Sequence, residues 1–262
     1  MNRIQTAFQT TPIFMPYYPV GYPDIATSVD ILEALAKNGA DLIEVGLSFS
    51  DPLADGPVIQ KATQTALEQG VITRDVIAAV AELRQRGVDI PLILMGYYNP
   101  MLAYGLEKFV RDATEAGADG FIIPDLPSEE SDEFVGAIRE SSLQPPLITM
   151  LAPTTSDERM EQVARNAQGF IYLVSVTGVT GARKDITTGL GELIGRVRQH
   201  TDVPVCVGFG ISTPDQATAV GQLADGVIVG SACVREIGES KNPVETAKQF
   251  AGRFREALRK TS

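Results

Sequence analysis

Residues 41–57 read DLIEVGLSFSDPLADGP, a stretch that sets a carboxylate, Glu44, inside an apolar run and two more, Asp51 and Asp55, just after it. A carboxyl group taken out of water has its charged form disfavoured, so its pKa rises and it can both donate and accept a proton near neutrality. If the run is a strand, successive side chains alternate between faces. Ile43, Val45 and Leu47 then form one face and suit a layer of helices, while Leu42, Glu44 and Gly46 form the other. The plain alternative is a Glu paired with a distant Lys or Arg, but carboxylates are seldom buried without a partner or a task. Asp51 and Asp55 lie in D-P-L-A-D-G-P, where two prolines stiffen the chain and Gly56 permits a sharp turn. An Asp beside Gly is as readily a turn former as a catalyst. The position of Asp55 directly after the segment that bears Glu44 favours a second carboxylate in the same site.

A complementary set lies in the C-terminal third. Gly178–Val179–Thr180–Gly181, Val207–Gly208–Phe209–Gly210–Ile211–Ser212 and Gly230–Ser231–Ala232 each follow an apolar run. Glycines there let the backbone approach a ligand and aim N–H groups at an anion such as a phosphate, although glycines also simply make turns. Tyr172 shares parity with Phe170 and Val174, so its hydroxyl either reaches a site or is a satisfied core group. His200 is the only histidine and ends a helix-like segment. A Ser/His/Asp triad or a His-rich metal site is therefore excluded as the expected chemistry.

The elements that must position these residues alternate along the chain. Apolar strand-like runs cover 13–18, 41–47, 91–97, 120–125, 146–150, 169–175, 203–208 and 225–229, with amphipathic segments between them such as 25–38, 58–69, 74–85 and 134–139. Helices between successive strands imply parallel pairing. Eight such units in 262 residues predict an α/β fold. The specific expectation is a single-domain (β/α)8 TIM barrel over residues 1–262, with extra helices at the N-terminus, after strand 2 and after strand 8. An open doubly wound sheet is the rival, but residues 18–23, YPVGYP, lack its Gly-rich turn. The pieces NGADLIEVG, AGADGFIIPD and LADGVIVGS repeat one pattern, in which Ala-Asp precedes a strand. In a barrel, active sites gather at the C-terminal ends of the strands, which is where Glu44, Asp55 and the glycine loops fall.

Composition narrows the classes further. A formal net charge of -11 argues against nucleic-acid binding, which needs clustered Lys and Arg, yet leaves backbone capture of a small phosphate open. Two cysteines, Cys206 and Cys233, with no C-x-x-C pair, argue against a disulfide scaffold or zinc site and suit small apolar core residues in a reducing compartment. No apolar stretch reaches the ~18 residues of a membrane span and the N-terminus lacks an apolar leader, so a cytoplasmic location is expected.

Taken in order, DLIEVGLSFSDPLADGPVIQ, PDLPSEES, SVTGVTGAR, VGFGIS and VGSA resemble the tryptophan synthase alpha subunit family over nearly the whole chain. The resemblance implies cleavage of indole-3-glycerol phosphate to indole and glyceraldehyde 3-phosphate, with Glu44 and Asp55 catalytic. It implies that Tyr17, Ile59, Met95, Tyr97, Tyr172 and Phe209 line the substrate pocket, that Thr180 bonds Asp55 in a closed form, and that Gly181, Gly210, Gly230 and Ser231 hold the phosphate. No metal or cofactor is implied in this chain. The implied partner is a beta subunit in an alpha2beta2 complex, which carries pyridoxal phosphate and receives the indole. Two departures stand out: Ser48 replaces the family's usual Pro, and Tyr17 and Pro19 stand where Phe and Thr are commonest. Residues 177–188, TGVTGARKDITT, carry few apolar anchors and are expected to form a lid. A stand-alone lyase and a non-catalytic phosphate-binding subunit are the competing readings. Retention of both carboxylates weighs against the second.

Overall fold

The computed structural model describes residues 2–174, 183–208 and 210–260. The eight apolar runs become parallel strands β1 (Ile13–Pro19), β2 (Ile43–Gly46), β3 (Leu92–Met95), β4 (Gly120–Ile122), β5 (Leu147–Leu151), β6 (Ile171–Val174), β7 (Val205–Gly208) and β8 (Gly226–Val229). They pair in sequence order and close into a barrel, with Ile13 of β1 in register with Gly226 of β8. Six of the strands are shorter than their apolar runs, because residues past the pleated core turn away into the connecting loops, whereas β1 runs one residue past its run and β5 is shifted by one residue.

Helices wrap the barrel: α1 (Arg3–Ala7), α2 (Ile25–Lys37), α3 (Pro57–Glu68), α4 (Thr73–Gln85), α5 (Tyr98–Tyr104), α6 (Leu106–Ala116), α7 (Asp132–Glu140), α8 (Asp157–Asn166), α9 (Arg183–Arg198), α10 (Pro214–Gly221), α11 (Ser231–Gly238) and α12 (Pro243–Arg259). Their starts follow local chemistry. Asp24 accepts the Thr27 N–H ahead of α2, and Thr213 and Gln216 form a reciprocal capping box around Pro214 at the start of α10. The expected extra helices are present before β1, after β2 and after β8. A further pair after β3 was not expected. Gly105, at φ +92°, separates α5 from α6 there, a conformation that favours glycine. Of the segment expected as a lid, residues 183–188 belong to α9 and 177–182 lie outside the described residues.

Two apolar layers result. Inside the barrel, Ile13, Met15, Leu42, Ile93, Ile122, Ile148, Phe170, Cys206 and Ile228 form one cluster, closed at the N-terminal end by Ile4 of α1. Between strands and helices lies the other, with Phe14, Phe109, Phe121, Phe134, Phe250 and Phe254 fully buried.

The Ala-Asp repeat acquires a structural meaning at that N-terminal end. The Asp41 N–H donates to the Phe14 carbonyl at 2.9 Å, and the Phe14 N–H donates back to the Asp41 carboxylate at 2.8 Å. Asp119 repeats this with Leu92 and Asp225 with Val205. Each carboxylate also meets an arginine: Arg255 at Asp41, Arg84 and Arg3 at Asp119, Arg198 at Asp225. The Asp ahead of β2, β4 and β8 thus caps the first residues of the odd-numbered strand before it; no Asp stands directly ahead of β6.

Candidate active site

Glu44 faces the barrel interior from β2 as parity requires, and at 1% exposure it is more deeply buried than a half-buried strand residue. Its Oε1 has no hydrogen-bond partner. Burial alone pushes its pKa up to about 8. Its register neighbour on β1 is Tyr17, itself buried.

Asp55 sits in the turn between β2 and α3. Its N–H donates to the Pro52 carbonyl at 3.0 Å, and its own carbonyl accepts from the Gln60 side chain at 2.8 Å. The turn is tied to the end of β3 by Tyr97, whose hydroxyl accepts the Ala54 N–H at 2.9 Å. Phe49 packs against the Tyr97 ring with centroids 5.6 Å apart. Partial burial raises the Asp55 pKa to about 6, and the Tyr97 hydroxyl, within hydrogen-bonding reach, pulls it part of the way back. At neutral pH, therefore, Glu44 is mostly protonated and Asp55 mostly ionised, although both are carboxylates of the same mouth.

Two buried tyrosines flank this pair. A side chain at Gly46, the next inward residue of β2 after Glu44, would place its Cβ 2.3 Å from the Tyr17 hydroxyl. A side chain at Gly208, at the end of β7, would place its Cβ 2.4 Å from the Tyr172 hydroxyl. Each ring leans across its neighbouring strand, and only a glycine leaves room for it. Burial, then the negative charges of Asp55 and Glu44, hold the Tyr17 hydroxyl protonated; burial and Glu44 do the same for Tyr172. Gly208 falls in a loop expected to approach a ligand, and Gly46 was noted only as sharing the inward parity of Glu44; neither was expected to make room for a tyrosine.

Across the mouth, Gly230 is the N-cap of α11 and makes no side-chain cap bond, so the first amides of α11 have no partner within the helix. A Cβ at Gly230 would sit 3.7 Å from Ile59 Cδ1 and 3.8 Å from Tyr17 Cβ, ordinary contacts. Crowding does not demand a glycine there, and the Gly230 backbone, at φ -97° and ψ -88°, lies outside the regions that side-chain-bearing residues favour. Gly210 has φ +80°, a backbone reason of its own, and is exposed, as is Ser231. Met95 ends β3, in register with Gly46. Thr180, Gly181 and Phe209 lie outside the described residues. The structure thus gathers Glu44, Tyr17, Tyr172, Asp55, Tyr97, Met95, Ile59 and Gly230 at one end of the barrel.

Among the described residues, no group of His, Cys, Asp and Glu could hold a metal ion, and no helix is long and apolar enough to cross a membrane. Cys206 and Cys233 are both buried free thiols. A cavity of about 560 Å³ opens elsewhere, between α7 and α8 over the outer face of β5, and includes neither Glu44 nor Asp55.

Comparison with known proteins agrees with the barrel fold. A family model described as tryptophan synthase alpha chain matches residues 5–261. The tryptophan synthase alpha chain of Chloroflexus aggregans is 47% identical, over 100% of this chain and 98% of that one. That of Roseiflexus castenholzii is 50% identical over 91% and 90%. Among solved structures, tryptophan synthase subunit alpha from Legionella pneumophila superposes with a TM-score of 0.90 at 36% identity, covering 99% of each chain. Tryptophan synthase from M. tuberculosis in an aminoacrylate-bound form gives 0.88 at 35%, covering 98% of this chain and 100% of that one.

Proposed function

The chain belongs to the tryptophan synthase alpha chain family, and we propose that it performs the lyase reaction of that family as a retro-aldol cleavage of indole-3-glycerol phosphate, with Glu44 and Asp55 as its proton-handling pair. The observation that carries this reading is the divergence of the two carboxylates, Glu44 pushed up to about 8 and Asp55 to about 6. One is an acid at neutral pH while the other is an anion.

The bond between indole C3 and the glyceryl chain cannot break while its electrons would be stranded on the ring. Protonated Glu44 donates its proton to C3, which leaves a positive charge on the ring nitrogen. Ionised Asp55 stands against the ring N–H and stabilises that charge. The Glu44 carboxylate then takes the proton of the side-chain hydroxyl next to the bond. A carbonyl forms, the C–C bond breaks, and its electrons return to the ring and neutralise the nitrogen. Glu44 ends the cycle protonated as it began, with indole and glyceraldehyde 3-phosphate as products.

Tyr17, Ile59, Met95, Tyr97, Tyr172 and Phe209 enclose the indole, and Thr180 bonds Asp55 in the closed form. The phosphate is bound by the amides of Gly181, Gly210, Gly230 and Ser231, and the uncapped start of α11 supports that assignment. Binding energy from this remote end orients the reacting end. The chain itself needs no cofactor. Its partner is a beta subunit that carries pyridoxal phosphate and receives the indole. Buried free thiols suit a cytoplasmic setting.

Steady-state cleavage of indole-3-glycerol phosphate with and without a beta subunit tests the reading. Release of indole that rises when the partner is added is the expected result. Indole release that ignores the partner points to a stand-alone lyase, and no release under either condition rejects the reaction.

A further inference from the structure

An ionised Glu44 needs a hydrogen-bond donor, and the interior offers it few. The titratable groups that face it are Tyr17 from β1, Tyr172 from β6 and Cys206 from β7, with Asp55 and Tyr97 grouped around Tyr17. None is basic. Glu44 Oε1 is buried without a partner, so once its proton has left, the anion would stand unsupported in an apolar barrel.

Tyr17 has the geometry to support it. Its Cα is the register partner of Glu44, and both side chains face inward. Its ring leans toward the C-terminal end of the strands, so that the hydroxyl lies over Gly46. Gly46 is the next inward position after Glu44 on the same strand, about 6.6 Å farther along. A glutamate side chain leaning in the same direction reaches that spot. Side chains from adjacent strands therefore converge above a glycine that has been kept clear for them. Tyr17 is 5% exposed, and burial keeps its phenol protonated and hence a donor throughout the working range.

We propose that Tyr17 is a positioning residue for Glu44: its hydroxyl, seated over Gly46, donates a hydrogen bond to the Glu44 carboxylate once that group has released its proton. The catalytic consequence rests on the proposed acid–base role of Glu44; the hydrogen bond itself does not. A bond made to the charged form favours it, so loss of the Tyr17 donor should raise the proton affinity of Glu44. A Phe at this position would keep the ring and lose the donor.

The test is a ¹³C NMR titration of glutamate carboxyl carbons in the intact chain, with the Glu44 signal assigned by its loss in Glu44→Gln. In Tyr17→Phe the Glu44 midpoint should rise by about one pH unit, a tenfold change in the ionised fraction at fixed pH. Gly46→Ala, which displaces the phenol, should move it the same way; if that variant does not fold, Tyr17→Phe decides alone. In cleavage assays the high-pH limb of kcat should follow the midpoint while KM holds. A midpoint that stays in place or falls in folded Tyr17→Phe overturns the proposal, including the case where only KM changes, as expected of a merely loosened pocket. Failure of the wild-type chain to release indole would reject the proposed reaction, and the titration would still judge Tyr17.

Discussion

Carboxylates occupy both ends of this barrel, and the two sets are treated in opposite ways. At the N-terminal end, Asp41, Asp119 and Asp225 each accept a strand N–H and meet an arginine. At the C-terminal end, among the described residues, neither Glu44 nor Asp55 meets a Lys or Arg, and Glu44 Oε1 has no partner. Asp41 and Glu44 lie three positions apart in one segment. A satisfied carboxylate holds strands together; an unsatisfied one costs stability and keeps its proton available. The difference therefore separates the end that ties strands together from the end where the proposed chemistry would take place.

Exchanging the consequences of the two ends is the way to break this contrast. The largest effect is expected from Glu44→Gln, which should lower cleavage by about a thousandfold while glycerol phosphate still binds, since an amide keeps the shape and cannot shuttle a proton. The same variant should not be less stable. The folded pKa of Glu44, about 8, lies above its ordinary 4.5. Its contribution to stability is therefore full below about pH 4.5 and is lost as pH rises through about 8. Urea denaturation across that window should show wild-type stability falling with pH more steeply than that of Glu44→Gln. Near-normal turnover in the variant removes Glu44 from the mechanism.

Asp119→Ala should do the reverse, with a loss of about 3 kcal/mol in urea denaturation and kcat retained in the folded fraction. It leaves Arg84 half-buried without its carboxylate and the Leu92 N–H without an acceptor. A fall in kcat with stability intact would erase the distinction between the ends.

Asp55→Asn should lower kcat by about a hundredfold, because an amide places no negative charge against the ring nitrogen. Its pH profile sharpens the contrast. Wild-type activity should be highest between about pH 6 and about pH 8, falling below as Asp55 gains its proton and above as Glu44 loses its own. The low-pH limb should vanish in Asp55→Asn; if it persists there, another group sets it.

The smallest effect is expected from Gly230→Asp. Affinity for glycerol phosphate, read by calorimetry, should fall about tenfold through repulsion between like charges, with Tm little changed because a Cβ fits that space. Unchanged affinity would move the phosphate site away from α11.

Some of this was written in local pattern. The alternation of apolar runs with amphipathic segments set out all eight βα units, and strand parity alone turned Glu44 inward. The motif DLIEVGLSFSDPLADGP carried the family. The helix pair after β3 was not expected, because the apolar run 91–97 reads as one strand, whereas β3 ends at Met95 and Tyr97 is already the N-cap of α5. The Ala-Asp repeat was visible as a pattern, but nothing local shows that each Asp reaches back to a strand 20 or more residues earlier.

What the sequence alone determined is what depends on neighbours along the chain: the order and type of the elements, the face each strand residue takes, and the stiff turn that carries Asp55. Closure of the barrel decided the rest, because it joins residues far apart in sequence. Pairing of β1 with β8 brings Gly230 to within reach of Tyr17 and Ile59, and pairing of β1 with β2 lays the Tyr17 phenol over Gly46. Burial inside that closed wall gives Glu44 its pKa. Periodicity can show that a carboxylate points inward, but whether it finds an arginine or only apolar walls depends on the strands that surround it.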